Sequence, residues 1–463
     1  MIWLEGSVVE THNVMLSVET SMKKIAVIGS GIAGLSAAWL LSKNHDVTLL
    51  EKDDRLGGHS NTVTADSYDI DTGFIVYNTK NYPNLVAFFD HLGIRTEPTE
   101  MSFSVSMDGG KMEYSGTSVS GLFAQKSNLV NPFFWQMLLD IRRFYKEAPK
   151  LLEEVETQFL TLGDFLQRGN YSKPFIENHL LPMGAAIWST PANDMLKYPA
   201  AAFVRFCGNH GLLQVNDRPE WRTVTGGSRN YVNLIADFLG DKVKLNTAVT
   251  AIHNENGAVQ IESRNGTVQR FDEVVIATHA DQALSMISNP SQMQKKLLGA
   301  FQYERNLAVL HTDENLMPKR KRAWASWNYL NRRSEDQEKQ QLSVTYWMNR
   351  LQNFASDKNY MVTLNPSQPL AEGSIIRSFP YDHPLFDASA MAAQHMLWNL
   401  QGRNNLWFCG SYFGYGFHED GIQSGLAVAE ALGGQRRPWA FDPSQSRITL
   451  PEDWMDEKLT NVA

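Results

Sequence analysis

Cysteine is nearly absent from this chain. Cys207 and Cys409 are the only two in 463 residues, and neither belongs to a CxxC pair. A disulfide framework and a thiolate zinc site are both excluded, no metal is indicated, and a reducing, cytoplasmic compartment is expected. No stretch approaches the ~18 apolar residues that a membrane span requires. Basic charge is not in excess: 42 Lys and Arg stand against 50 Asp and Glu, a net charge of −8, so bulk electrostatics disfavour nucleic acid. There is no internal repeat and no low-complexity tract. Residues 1–21 lack the charged start and apolar core of a secretory signal. They are expected to form a poorly ordered extension, with Met22 an alternative start. What remains is an ordinary globular composition, 43% hydrophobic and 20% charged, in a chain long enough for two or three domains.

Glycine carries the first positive signal. Gly29, Gly31 and Gly34 lie in Lys23-Lys24-Ile25-Ala26-Val27-Ile28-Gly29-Ser30-Gly31-Ile32-Ala33-Gly34. The apolar run reads as a buried strand, the glycines as a tight turn, and 35–41 as the start of a helix. Val47-Thr48-Leu49-Leu50-Glu51 then returns as a second buried strand, its acid 22 residues after the first glycine. A GxGxxG alone is weak, but strand, helix, strand and acid together point to dinucleotide binding over a merely structural turn. Gly29 makes the turn, Gly31 lets a pyrophosphate approach the backbone, and Gly34 lets helix and strand pack closely. The helix N-terminus at Ile32 and Ala33 offers free N–H groups and a positive dipole end. Glu51 is placed to accept from a ribose diol, with Lys52 beside it.

The next segments are Gly57-Gly58-His59-Ser60-Asn61-Thr62 and Asp69-Ile70-Asp71-Thr72-Gly73-Phe74. With the βαβ unit they resemble the flavoprotein amine oxidase and phytoene desaturase superfamily. The resemblance implies tightly bound, non-covalent FAD, contacted by Gly57, Gly58, His59, Thr72 and Gly73. The family usually has Arg where this chain has His59, so the usual cationic phosphate contact is in question and His59 is its candidate replacement. A covalent flavin link is the other chemistry His59 allows. The signature resumes at Gly226-Gly227-Ser228. Strands at 243–245 and 249–252, a hairpin around Asn265-Gly266 and a buried strand at 271–278 follow. The resemblance puts the Val249 backbone under the adenine and Thr278 near the pyrophosphate. A last strand, loop and helix run from Asn405 through Cys409-Gly410-Ser411 to Gly421-Ile422-Gln423-Ser424-Gly425. That helix N-terminus would aim its dipole at the flavin N1–C2=O edge. Ser411 stands where the family usually has an acid on the ribityl chain.

These pieces imply an α/β fold: a discontinuous Rossmann-like FAD-binding domain with an inserted α+β substrate domain of antiparallel sheet plus helices. The cofactor domain is expected to draw on three separate stretches, 22–110, 221–290 and 401–436. Between them lie a helical insertion at 111–220 and the substrate sheet at 291–400, with an extension at 1–21 and a tail at 437–463. Residues 81–92 read as a helix and 102–107 as a strand. The segment 295–395 reads as antiparallel strands, with a charged, solvent-facing loop at 332–341. Phe133-Phe134-Trp135-Gln136-Met137-Leu138-Leu139 leads into Ile141-Arg142-Arg143-Phe144-Tyr145-Lys146. Its ordinary reading is a core-packing helix. The alternative is a face toward lipid or an oily substrate, a peripheral contact at the inner membrane face.

FAD would carry the redox step. No second GxGxxG unit is present for a nicotinamide donor, so the substrate itself is expected to reduce the flavin. Amine-oxidising members of the family commonly place a lysine on a substrate-domain strand, and the best-matching strand, Leu307-Ala308-Val309-Leu310, has none. Desaturation or isomerisation of a lipid-like chain is the preferred reading, with a small hydrophobic substrate as partner. Two aromatic groups could line its pocket: Tyr412, Phe413, Tyr415 and Phe417, and Trp324, Trp327, Tyr329, Tyr346 and Trp347. The pattern also resembles bacterial predicted FAD-binding proteins that are similar to a methyl-branched fatty-acyl desaturase. It does so through Met101-Ser102-Phe103-Ser104-Val105-Ser106, Ala323-Trp324-Ala325-Ser326-Trp327-Asn328-Tyr329 and Gly416-Phe417-His418-Glu419-Asp420-Gly421. His418, beside Glu419 and Asp420, is the acid–base candidate, its ordinary pKa near 6.5 suiting proton transfer. A plain hydrogen bond to the flavin is its other role. Tyr77, His279 and His383 are weaker candidates, each expected to be structural. Amine oxidation and a non-catalytic flavin sensor or scaffold remain as alternatives.

Overall fold

The strands Lys24–Ile28 and Asp46–Leu50 are apolar at nearly every position, so both of their faces must be covered. In the computed structural model, which describes residues 22–153, 160–188, 195–214, 218–255, 257–331, 343–433 and 435–451, they lie at the centre of a parallel sheet. Its five strands run in the order Val243–Lys244, Asp46–Leu50, Lys24–Ile28, Glu273–Ile276 and Leu406–Phe408. Start, middle and end of the chain each contribute, which makes the domain discontinuous as expected. Ile25, Val27, Val47, Leu49 and Val275 face the helices Ile32–Leu41, Pro83–Leu92, Arg229–Leu239 and His418–Gly433. Ala26, Ile28, Leu50, Val274 and Ile276 face the other way, onto Ile252, Val259, Ile261 and Phe271 of a three-stranded antiparallel sheet. The expected hairpin is the pairing of Ala258–Ser263 with Val268–Phe271.

The second domain is built on a seven-stranded sheet. Its order is Ile375–Leu385, Gln302–His311, Met361–Leu364, Ser343–Trp347, Trp327–Asn331, Phe103–Met107 and Met112–Ser115. All pairings are antiparallel except Trp327–Asn331 with Phe103–Met107. The last two strands correct the 22–110 boundary: Phe103–Met107 belongs to the substrate sheet. Ser104 Oγ donates to Asn328 Oδ1 at 2.7 Å, tying residues 224 positions apart. Helices between 119 and 209 cover this sheet and share its core through Phe134, Met137, Phe144, Phe175 and Phe203.

The segment 435–451 is no loose tail. Arg437 and Glu430 form a buried pair at 2.7 Å, and Arg437 Nη1 donates to Asn84 Oδ1 at 2.7 Å. Trp439 stacks on Trp39 with centroids 6.2 Å apart. The charge and ring locks bind this segment into the cofactor domain, whose last stretch therefore extends beyond 436. The expectations for 1–21 and for 332–341 lie outside the described residues. Among the described residues, no helix is long and apolar enough to cross a membrane.

Candidate active site

Gly29 closes the turn after the first strand. Its N–H donates to the Leu50 carbonyl at 2.9 Å, and its φ of +99° is a conformation that costs glycine little. At Gly34 a Cβ would stand 1.9 Å from the Gly29 carbonyl oxygen, so helix and turn meet at backbone distance. Gly31 is different. A Cβ there would meet nothing within 4 Å, and as the N-cap of Ile32–Leu41 it makes no side-chain cap. The turn therefore presents open backbone with donors to spare.

Glu51 faces this turn. Ser30 N and Ser30 Oγ donate to Oε2 at 2.9 and 2.5 Å, and Asp53 N donates to Oε1 at 3.0 Å. The carboxylate is buried, and none of the ion pairs among the described residues includes it. Thr247 N donates to the Glu51 carbonyl at 2.7 Å, which brings the chain leading into Val249 alongside. Lys52 is exposed.

The helix His418–Gly433 runs beside Ile32–Leu41 in the same direction. A Cβ on Gly421 would lie 2.8 Å from Ile32 Cγ2, one on Gly425 2.3 Å from the Ala33 carbonyl oxygen, and one on Gly433 2.9 Å from Leu41 Cδ2. Two helix N-termini thus sit side by side; that of Ile32–Leu41 has no acid in its first turn, while Glu419 and Asp420 lie buried in the first turn of the other, so the dipole end open to an anion is chiefly that at Ile32. Thr278 and Gly410 stand at the same end: the Gly29 Cβ position is 3.2 Å from Thr278 Cγ2, and that of Gly410 is 3.4 Å from Thr278 O. Ser411 begins the turn that enters the helix, its carbonyl accepting from Gly416 N at 3.1 Å. Ile422 is fully buried in the core between the helices, which leaves only its backbone for a ligand.

The Gly57-Gly58-His59 segment docks on the first turn. Gly57 N donates to Ser30 O and Ser30 Oγ at 3.1 and 3.2 Å, and a Cβ on Gly58 would lie 3.2 Å from Gly31 Cα. Gly73 lies against the His59 carbonyl, which accepts from Phe74 N at 2.7 Å. From the other domain, Tyr381 stacks on His59 at 4.8 Å, while its hydroxyl meets Thr72 Oγ1 at 2.8 Å and Asn61 Nδ2 at 2.9 Å. His383 and His279 approach the His59 ring at 5.5 and 6.3 Å. His383 Nδ1 contacts Asn306 Nδ2 at 3.0 Å, and His279 stacks on Tyr303. Burial, reinforced by the neighbouring imidazoles, holds the His59 pKa well below 6.5; His383 is lowered to about 4 by burial and then by His279. The neutral His59 ring is favoured in these surroundings. Its Nε2 is enclosed and has no hydrogen-bond partner among the described residues. The cation on this segment is Arg55, which donates to Leu56 O and Gly58 O.

His418 stacks on Phe74 with centroids 3.7 Å apart. Its Nε2 lies 2.9 Å from Ser60 Oγ and 3.4 Å from Tyr231 Oη, and Ser60 and Tyr231 are hydrogen-bonded to each other. Burial lowers the His418 pKa to about 3, away from the ordinary value near 6.5, which favours the neutral ring. Its acidic neighbours turn elsewhere. Glu419 accepts from Asn84 N and Leu85 N at the start of Pro83–Leu92, and Asp420 accepts from Phe417 N and faces Arg447 at 3.6 Å.

A family model described as "Flavin containing amine oxidoreductase" matches residues 32–353. The chain belongs to that family. A putative flavin-containing monoamine oxidase, AofH, of Mycobacterium tuberculosis (strain ATCC 25618 / H37Rv) is 28% identical over 257 residues, 53% of this chain and 54% of that protein. A 4,4'-diapophytoene desaturase of Staphylococcus aureus (strain Newman) is 33% identical over 102 residues, 17% of this chain and 20% of its own. The chain spans about half the length of the first of these relatives. Among solved structures, a CLA-producing fatty acid isomerase from P. acnes aligns with a TM-score of 0.64 over 89% of this chain and 98% of that one, at 14% identity, a likeness of fold.

Membership in the flavin-containing amine oxidoreductase family makes FAD the cofactor, and the chain's own residues fit it. The open backbone at Gly31, the paired helix N-termini and the buried Glu51 carboxylate together suit a pyrophosphate flanked by a ribose. Sequence reasoning missed Ser30, which joins the two glycine segments, and it missed Ser60, Tyr231 and Tyr381. Ser60 and Asn61 lie inside a motif that is recognisable in the sequence, which was the available signal. Tyr231 and Tyr381 carry no local signal. The aromatic groups offered as pocket are largely core: Tyr412 and Phe413 are buried in the cofactor domain, Tyr329 and Tyr346 in the substrate core, and Trp324 with Trp347 in a separate cluster. Tyr77 is likewise core.

Proposed function

We propose that this protein is an FAD-dependent oxidoreductase that desaturates or isomerises a hydrophobic acyl-type chain. The observation that carries the reading is an absence on one surface. None of the seven strands of the substrate sheet carries a lysine. The groups that sheet turns toward His59 include Tyr381 and His383, with Asn306 bonded to His383, and the carboxylate of Asp382 between them is paired with Arg305. A neutral, poorly hydrated wall favours an apolar C–H over a charged substrate. The shared fold with a fatty acid isomerase and the match to a desaturase support an acyl or polyene chain as the substrate class.

When bound, FAD supplies the acceptor for a hydride from the substrate C–H. The chain's own residues bind and orient. The N-termini at Ile32 and His418 would hold the anionic parts of the cofactor, and Glu51 would hold the ribose. Tyr381 closes the wall by stacking on His59 and bonding to Thr72 and Asn61. His418 is held by Ser60 and Tyr231 as a neutral ring, which suits hydrogen bonding better than acid catalysis. The test is product analysis. Acyl lipids incubated with the holoprotein and an artificial electron acceptor should gain or shift a double bond. Amine oxidation is the second reading, favoured by the relation to AofH. Release of aldehyde and ammonia from amines, with acyl chains untouched, would establish it instead.

A further inference from the structure

The helix Pro132–Glu147 carries an outer apolar face that the described chain leaves largely open, with Phe123 beside Trp135 at 5.7 Å. It turns Phe134, Met137 and Phe144 into the core, and leaves Trp135 and Leu139 46% and 66% exposed on the opposite side. Helical spacing continues that outer stripe through Arg142 and Lys146, both exposed. Just before the helix, Leu129, Val130 and Phe133 are 51%, 83% and 65% exposed. These residues form one ordered patch. Trp135 Nε1 donates to the Leu129 carbonyl at 2.9 Å, and Asn131 caps the helix through Phe133 N.

Basic residues flank the patch along the chain: Lys126 before it and Arg142, Lys146 and Lys150 after it, all exposed. The acids of the helix are engaged on its inner side: Asp140 accepts from Arg143 and from Ser172 N, and Glu147 accepts from Tyr171 Oη. In a chain of net charge −8 this local sign is the reverse of the whole. An apolar wedge carrying Trp and Phe, flanked by Lys and Arg, matches an anionic bilayer surface in both polarity and charge. A second copy of the chain would set like charges against each other across a two-fold interface. We propose that the patch formed by 129–139, with Arg142, Lys146 and Lys150, docks the protein on an anionic lipid surface. This extends the acyl-chain reading by naming where the chain would be met, yet its test reads vesicle binding rather than turnover, so either can fail alone.

The experiment is co-sedimentation of the full-length holoprotein with phosphatidylcholine vesicles, with and without phosphatidylglycerol, over a salt series. The wild type should bind the anionic vesicles and be released by salt. Phe133→Ser with Leu139→Ser, and separately Arg142→Glu with Lys146→Glu, should each weaken binding about tenfold or more. Flavin content and absorbance should stay unchanged, which separates lost docking from lost folding. No binding at low salt, or binding indifferent to both double variants, would overturn the proposal. So would a concentration-dependent dimer abolished by Phe133→Ser with Leu139→Ser in the absence of lipid.

Discussion

Tyr381 and His59 stack at 4.8 Å across the boundary between the two domains, one ring from the substrate sheet and one from the second glycine motif. The contact joins the second glycine motif to the substrate sheet. It also keeps His59 in surroundings where the neutral ring is favoured. The site chemistry at this point is therefore stacking and neutral hydrogen bonding.

Gly31→Ala should separate fold from cofactor. A Cβ at Gly31 meets nothing within 4 Å, so the apoprotein should fold with a thermal midpoint close to wild type. FAD affinity should fall sharply if a pyrophosphate meets the backbone at Gly31, where the added methyl would stand. Gly34→Ala should instead fail to fold, since its Cβ would lie 1.9 Å from the Gly29 carbonyl oxygen. Thermal melts of the apoproteins and flavin titrations check both. Unchanged FAD affinity in Gly31→Ala would remove the turn from the binding site.

Glu51→Ala should weaken FAD binding by about 2–4 kcal/mol, roughly 30- to 1000-fold, through the loss of charge-assisted hydrogen bonds to the ribose. Glu51→Gln should fall between the two, because an amide oxygen can still accept from Ser30. Calorimetric titration of the apoproteins gives the order. Equal affinity in all three would place the ribose elsewhere.

The legibility of this site followed sequence distance. The βαβ unit was readable because strand, turn, helix and acid are neighbours, and Gly29 and Gly34 have local steric reasons. The pairing of Phe103–Met107 beside Trp327–Asn331 was not: a strand announces its alternation but not its partner 224 residues away. His59, His279 and His383 looked like three isolated residues; the fold of the cofactor domain sets His279 6.3 Å from His59, and the substrate sheet brings His383 to 5.5 Å. His418 stood out in the sequence, but the lowering of its pKa by burial against Phe74 cannot be read from its flanking acids.

His418 should leave a mark on acid stability. Its pKa is lowered to about 3 in the folded state against about 6.5 unfolded. Below pH 6.5 the unfolded chain therefore binds the extra proton, so stability is fully present above that pH and declines as pH falls toward 3. The apoprotein of His418→Gln should lose up to a few kcal/mol less than wild type over that window. Denaturant melts at a series of pH values read the difference. Identical pH profiles would mean that the imidazole is not desolvated as described.

The Arg437–Glu430 pair should be expensive to break singly. Both side chains are at most 6% exposed, so Arg437→Leu strands a buried carboxylate and should cost about 3–5 kcal/mol. Pairing it with Glu430→Leu should recover some of that loss. A double variant as unstable as the sum of the singles would argue that the two charges do not interact.

The most direct test of the account is anaerobic reduction of the bound flavin by a panel of primary and secondary amines beside saturated, branched and unsaturated acyl lipids, followed by absorbance. The account predicts that acyl chains bleach the flavin and that amines do not. Rapid bleaching by an amine, with every acyl chain inert, would contradict it.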